Sequence, residues 1–239
     1  MLLAGRRKVR ELWVASETDG GGERNDRGGP TEILALAADL RVPVQRVSRR
    51  RLDAEARSEA PQGVLAKAAP LAEADLDDLA RPRGKRPPFL VLVDGVTDPG
   101  NLGAVLRTAD GAGVTGVVLP RHRAVHITPT AAKAAAGAIE HVPIAVVSGL
   151  PTAIERLHKA DIWVVGLDDA ADRSLFDLGD TAAGAIALVL GAEGSGLSRL
   201  VRQRCDLVVS IPMRGRLSSL NVSAAAALAC YEVARRRSP

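Results

Sequence analysis

Three short stretches of this chain combine glycines with Asn, Arg, Glu and Ser in a way that could do chemistry. The first is Asp98-Pro99-Gly100-Asn101-Leu102-Gly103-Ala104-Val105-Leu106-Arg107. The second is Leu190-Gly191-Ala192-Glu193-Gly194-Ser195-Gly196-Leu197. The third runs from Ile211-Pro212-Met213 to Ser219-Leu220-Asn221-Val222-Ser223. Each reads as a loop that closes a strand and opens a helix, so each presents backbone amides and carbonyls to a ligand. Asn101 is placed at or near a helix N-cap, with Arg107 projecting from the second turn. Asn is a common cap and Arg a common solvent-facing residue. The alternative is that Asn101 orients a substrate hydroxyl and Arg107 binds phosphate or the reacting oxygen. Gly191, Gly194 and Gly196 would let backbone approach a flat ligand closely. Their spacing matches neither the dinucleotide fingerprint nor a P-loop, since no Lys-Ser/Thr follows. Glu193 suits a surface acid, a helix-start acid or an acceptor for neighbouring amides and ribose hydroxyls. The third stretch carries Arg214 and Arg216, with Ser218, Ser219 and Asn221 as candidate caps of an Ala-rich helix.

The elements that must position these loops follow from the hydrophobic pattern. Phe89–Val93 is a continuous apolar run, as expected of a strand buried on both faces. Further strands are predicted at 116–119, 143–147, 162–167, 185–190 and 207–211. The predicted helices span 102–112, 129–138, 151–159, 198–204 and 222–236. Such alternation implies an α/β fold with a parallel sheet covered by helices on both faces. In that architecture ligands bind beyond the carboxyl ends of the strands, where all three loops fall. The first part reads as a smaller α/β unit, with strands at 12–15, 42–47 and 63–66 and a helix at 31–39. A polar, Gly-rich insert occupies 19–29. Residues 71–88, acidic and then basic and Pro-rich, read as a connector.

Composition narrows the function classes. The 239 residues allow one large domain or two small ones, and 46% of them are apolar. Two Trp, two Phe and one Tyr leave an aliphatic core and argue against modules that stack bases on exposed rings. The net charge of +4 is mild. It is concentrated, however, in Arg6-Arg7-Lys8-Val9-Arg10, Arg49-Arg50-Arg51 and the run Arg81 to Arg86, clusters of the kind phosphate contacts need. The two cysteines and four histidines have no metal-ligand spacing, so neither a metal site nor a disulfide framework is expected. No apolar run reaches the roughly 18–20 residues that span a bilayer. The N-terminal stretch turns charged by Arg6 and does not read as a signal peptide, so a cytoplasmic location is expected.

Taken together and in this order, the three stretches resemble the signature motifs of the SpoU (TrmH) family of RNA ribose 2'-O-methyltransferases. The resemblance covers about Phe89 to Arg236. It implies a methyltransferase domain over 89–239 with a C-terminal trefoil knot, an exception to ordinary topology, and a homodimer with the site near the subunit interface. It also implies S-adenosyl-L-methionine as cofactor, contacted by Gly191, Ile211 and Leu220, with Met213 and Leu167 completing the set. Asn101, Arg107, Glu193, Ser219 and Asn221 would form the catalytic and substrate-positioning set. The family's proposed base is Arg107. A guanidinium is effectively always protonated, so phosphate binding or stabilisation of a developing alkoxide is the other role open to it. Residues 1–70 are similar, more weakly, to the L30e-like RNA-binding domain of bacterial 23S rRNA guanosine 2'-O-methyltransferases, through Arg7-Lys8-Val9-Arg10-Glu11-Leu12 and Gln62-Gly63-Val64. Relative to that pattern the domain is expected to be trimmed at its start, and Pro61 stands where His is common. The expected activity is methyl transfer to a ribose 2'-hydroxyl of RNA, with a 23S rRNA guanosine as target. The alternatives are the same chemistry on tRNA or on the 23S adenosine linked to thiostrepton resistance, a non-catalytic RNA-binding protein, and an ordinary nucleotide-binding Rossmann protein.

Overall fold

The computed structural model describes residues 1–16, 30–56, 63–122, 127–192 and 194–237. The chain divides into two compact units, Met1–Leu71 and Ala72–Pro239. The insert 19–29, Pro61 and Gln62 lie outside the described residues.

In the first unit β1 (Val9–Ala15) is central. It pairs in parallel with β2 (Val44–Val47) and antiparallel with β3 (Val64–Ala68). Between β1 and β2 runs α1 (Pro30–Asp39), and after β2 comes α2 (Arg49–Ala56). Trp13, Val47 and Leu52 form the core. The ammonium of Lys67 stands 3.7 Å from the Trp13 ring centroid and the Arg51 guanidinium 4.9 Å, both within cation–π reach. Lys67 also pairs with Glu11 at 3.0 Å, and this neighbour chiefly holds the Glu11 carboxyl below its usual range. The helix α2 was not expected, because Arg49-Arg50-Arg51 reads as a basic cluster. Leu52 is its one buried residue, and a single anchor leaves no periodicity to detect.

The second unit is a six-stranded sheet in the order β6-β5-β4-β8-β7-β9. Its strands are β4 (Phe89–Val93), β5 (Gly116–Pro120), β6 (Ile144–Val147), β7 (Trp163–Leu167), β8 (Ile186–Leu190) and β9 (Leu207–Val209). Every pairing is parallel. Three strands, β4, β5 and β8, are buried at all positions, which is why they read as unbroken apolar runs.

Helices cover both faces. Leu90 and Leu92 of β4 join one core with α3 (Leu76–Leu79), α6 (Leu150–His158) and α7 (Arg199–Arg204). On the other side α4 (Pro99–Gly111) packs on α5 (Pro129–Ala134) and on α8 (Val222–Arg237). The stretch 72–88, expected as a connector, lies in this unit, and its Leu76 and Leu79 are buried. The helix expected over 129–138 stops at Ala134, and Ala136 takes a left-handed φ of 48° before a 3-10 turn at Ala138–Glu140. The last strand ends at Val209 rather than Ile211, and Ser210 forms only an isolated bridge to Ser174.

The end of α8 is fastened by Arg237. Its guanidinium donates to the carbonyls of Ala182 at 3.1 Å, Pro87 at 3.2 Å and Pro88 at 3.0 Å, and also to Gly184. Burial lowers the pKa of this guanidinium from its ordinary value. One turn earlier, the buried Glu232 carboxylate accepts from Arg235 and Arg236. Burial works against the charged form, but Arg236 and Arg235 outweigh it and hold that carboxyl below its usual range.

Two predictions follow from this packing. A Cβ at Gly103 would stand 2.4 Å from the Ala134 Cβ and 2.6 Å from the Ala131 carbonyl oxygen. Gly103→Ala is therefore expected to cost about 1–3 kcal/mol through overpacking between α4 and α5, read as a melting midpoint lower by a few degrees. Burial pushes the thiols of Cys205 and Cys230 up to about 12, so neither is a thiolate in mildly alkaline buffer. Iodoacetamide is expected to spare both in the native protein and to modify both in urea. Rapid native labelling of either would contradict this.

Candidate functional site

At the carboxyl ends of β7, β8 and β9 the loops enclose a cleft of about 460 Å³, within the range typical of small-molecule sites. Each loop is built by local rules. After β8, the chain turns back so that the Ala192 N–H donates to the Gly196 carbonyl at 3.0 Å and the Gly196 N–H to the Ala192 carbonyl at 2.9 Å. Gly194 and Gly196 take φ of 77° and 63°, in the left-handed region that favours glycine. At Gly191 a Cβ would stand 2.3 Å from the Gly196 carbonyl carbon. Gly191 thus allows the turn to close on its own backbone, which the spacing of the glycines alone did not reveal.

Asp94, just past β4, accepts from the Ser198 N–H at 2.7 Å. This bond ties the end of β4 to the loop that leads into α7. The helix α4 begins at Pro99 and is capped by Asp98, whose carboxylate accepts from the Asn101 N–H at 2.7 Å. Asn101 is therefore inside the first turn and is not the cap, and Arg107 lies in the third turn rather than the second. The reason is that Pro99 fits the first helical position, leaving the cap to the acid before it. Freed from capping, the Asn101 side chain accepts from the Asn221 amide at 3.0 Å, across 120 residues of sequence. Asn221 itself caps α8. Its carbonyl accepts from the Ala225 N–H at 3.0 Å, and its side-chain oxygen accepts from the Ser223 N–H at 2.9 Å and the Ser223 hydroxyl at 2.6 Å.

The predicted residues sort cleanly. Leu167, Gly191, Ile211, Met213 and Leu220 all line the cleft, together with Ser219 and Asn221. Asn101 is joined to it through Asn221. Arg107 is exposed on α4 and does not line the cleft. Glu193 lies outside the described residues. Sequence reasoning missed Asp168 and Asp169, which also line the cleft. The signal was present, because acids directly after a strand of a parallel sheet stand where ligands bind. The walls are mixed: Leu167, Leu190, Ile211 and Met213 are apolar, while Ser218, Ser219 and Asn221 are polar. Among the described residues no group of His, Cys, Asp and Glu could hold a metal ion, and no helix is long and apolar enough to cross a membrane.

A parallel sheet with a glycine turn, an apolar-and-polar cleft at its carboxyl edge and a tied pair of asparagines defines a small-molecule site of the kind seen in cofactor-dependent α/β proteins. Comparison with known proteins gives the class. Residues 88–231 match the model of the SpoU rRNA Methylase family, and residues 1–74 match that of the RNA 2'-O ribose methyltransferase substrate-binding domain. The chain belongs to the SpoU rRNA methylase family. It is 40% identical over 235 residues to YacO of Bacillus subtilis, named as a TrmH family tRNA/rRNA methyltransferase, covering 98% of this chain and 90% of that one. It is also 40% identical over 237 residues to the 23S rRNA (guanosine-2'-O-)-methyltransferase RlmB of Pseudomonas aeruginosa, covering 98% and 91%. Among solved structures it resembles the SpoU methyltransferase AviRb of Streptomyces viridochromogenes in complex with AdoMet. There the TM-score is 0.78 at 28% identity, over 99% of this chain and 85% of that one.

Gly191→Ala should force the turn open. Hydrogen exchange of the Ala192 and Gly196 amides is expected to accelerate by roughly tenfold or more, while amides of β4 stay protected. Unchanged protection of the two loop amides would show that the loop absorbs the Cβ.

Proposed function

We propose that this protein is an S-adenosylmethionine-dependent RNA ribose 2'-O-methyltransferase acting on a guanosine of 23S rRNA. The observation that carries the reading is the cleft, which draws its walls from the second and third signature stretches and is tied to the first by the Asn221–Asn101 bond. The near full-length similarity to the Pseudomonas enzyme supports the target. Under the same reading the N-terminal unit is L30e-like and binds the RNA, the protein is cytoplasmic, and the segment from β8 through α8 forms a trefoil knot. The return of α8 from the edge strand β9 to pack on α4 supports the knot. Leu228 and Tyr231 stand exposed on α8, which supports a homodimer seated there.

The cleft fits the cofactor. Apolar side chains at Leu167, Ile211 and Met213 suit the faces of an adenine, and the polar groups of Ser219 and Asn221 suit the amino-acid end. When bound, S-adenosylmethionine supplies a methyl group already activated by its sulfonium. The chain's residues then have two tasks, to align the ribose and to help its 2'-hydroxyl lose a proton. Asn221 and Asn101 hold each other and so fix the rim over which the ribose would lie. Arg107, Arg214 and Arg216 are exposed and are suited to phosphates of the RNA backbone. The Arg107 guanidinium would stabilise a developing alkoxide through its positive charge and its N–H donors. Ser219, and Glu193 in the glycine loop, complete the proposed positioning set.

Methyl transfer from labelled S-adenosylmethionine to 23S rRNA, 16S rRNA and tRNA transcripts tests this, with nucleoside mass spectrometry of the product. The expected product is 2'-O-methylguanosine in 23S rRNA alone. Arg107→Ala is expected to slow transfer by about 100-fold or more while leaving cofactor affinity unchanged. Transfer to tRNA only would overturn the target and keep the chemistry. No transfer, together with no cofactor binding, would leave an RNA-binding protein on this scaffold.

A further inference from the structure

Of the two acids at the cleft that neither the motifs nor the reaction account for, Asp168 is the one held by an ion pair. It follows β7 directly and its side chain is only 12% exposed. Its conformation is set from two sides. One oxygen accepts from the Ala170 N–H at 3.0 Å, and the other accepts from the Arg202 guanidinium at 3.0 Å. Arg202 stands on α7, immediately after the glycine turn, and does not itself line the cleft. The Arg202-bound oxygen lies 3.7 Å from where a Cβ on Gly196 would be. The carboxylate is thus held against the glycine turn, facing the same space as Gly191 and Ile211.

An ionised carboxylate accepts about two hydrogen bonds per oxygen. Among the described residues each oxygen of Asp168 has one partner, which leaves one acceptor position on each. The matching ligand group presents two adjacent donors. The ion pair with Arg202 offsets the negative charge, which favours neutral donors over a cation. A vicinal diol meets both conditions. Elsewhere in parallel α/β proteins, an acid at the carboxyl end of a strand takes ribose hydroxyls for the same reason.

We propose that Asp168, held in place by Arg202, accepts the 2' and 3' hydroxyls of the cofactor's ribose and so selects a ligand that carries an intact ribose diol. The inference rests on the cofactor reading above and adds to it a residue and a ligand group. Asp168 is a binding residue and Arg202 a positioning residue. Neither is asked to take part in methyl transfer.

Calorimetric titration of the intact protein with S-adenosylhomocysteine and with its 2',3'-dideoxy analogue tests the assignment without reference to activity. The wild type is expected to bind the dideoxy analogue about ten- to a hundredfold more weakly. Asp168→Ala should weaken S-adenosylhomocysteine by a similar factor and the dideoxy analogue hardly at all. Asp168→Asn preserves the side-chain volume and one acceptor oxygen. It gives an intermediate loss and serves if the alanine variant does not fold. Equal losses for both ligands in the variants would overturn the assignment. So would a loss for S-adenosylmethionine with none for S-adenosylhomocysteine, which would mean that Asp168 faces the sulfonium. Wild-type protein that binds neither ligand would overturn the cofactor reading and this inference with it. Tight binding that ignores the ribose hydroxyls would overturn this inference alone.

Discussion

Strands buried on both faces leave no place for polar chemistry except at their ends, and this constraint organises the second unit. Every residue of β4 and of β8 is buried. Their backbone groups are satisfied within the ladder and their side chains belong to two aliphatic cores. Polar function is therefore displaced to the loops that leave the carboxyl ends, where helix N-termini and free amides gather. Asp94, Asp98, Asp168 and Asn221 all stand at such ends, and all accept backbone N–H groups there. Of these, Asp168 and Asn221 also line the cleft, so stability and site share residues.

One wall of the cleft is the glycine turn, which closes on itself through two main-chain bonds, and the side chains around it are a mixture of apolar and polar groups. Such a wall suits a flat, apolar ligand with a few donors and acceptors at its edges. It contrasts with the first unit, where the core is small and long basic side chains lean over Trp13. Of these, Lys67 already has a partner in Glu11, and on α2 Arg49 has one in Asp53. Pairs this exposed contribute little to stability, typically about 0–1 kcal/mol, so a phosphate backbone could exchange with them at small cost.

Much of this was legible in the residues. The strands of the second unit announced themselves as apolar runs, because burial on both faces removes the alternation that would otherwise blur their limits. The three signature stretches marked strand-to-helix loops, and of the ten residues put forward as cofactor-binding or catalytic, seven line the cleft: Leu167, Gly191, Ile211, Met213, Ser219, Leu220 and Asn221. Local chemistry was harder to read. Asp98 and Asn101 are both good caps, and only the position of Pro99 decides between them. Helix α2 has a single buried residue and hides in a run of arginines.

The succession of strands in the second unit, its parallel sheet and the edge at which the cleft opens were determined by the sequence alone, since periodicity and loop chemistry are local properties. Tertiary structure decided which side chains meet. The bond from Asn221 to Asn101 spans 120 residues, and the pairing of Asp168 with Arg202 joins the end of β7 to α7. Neither contact has a sequence signature, because both depend on how β8 inserts between β4 and β7 and on where α8 returns. Side-chain contacts of that range are set by strand order and helix packing, and those are properties of the whole chain.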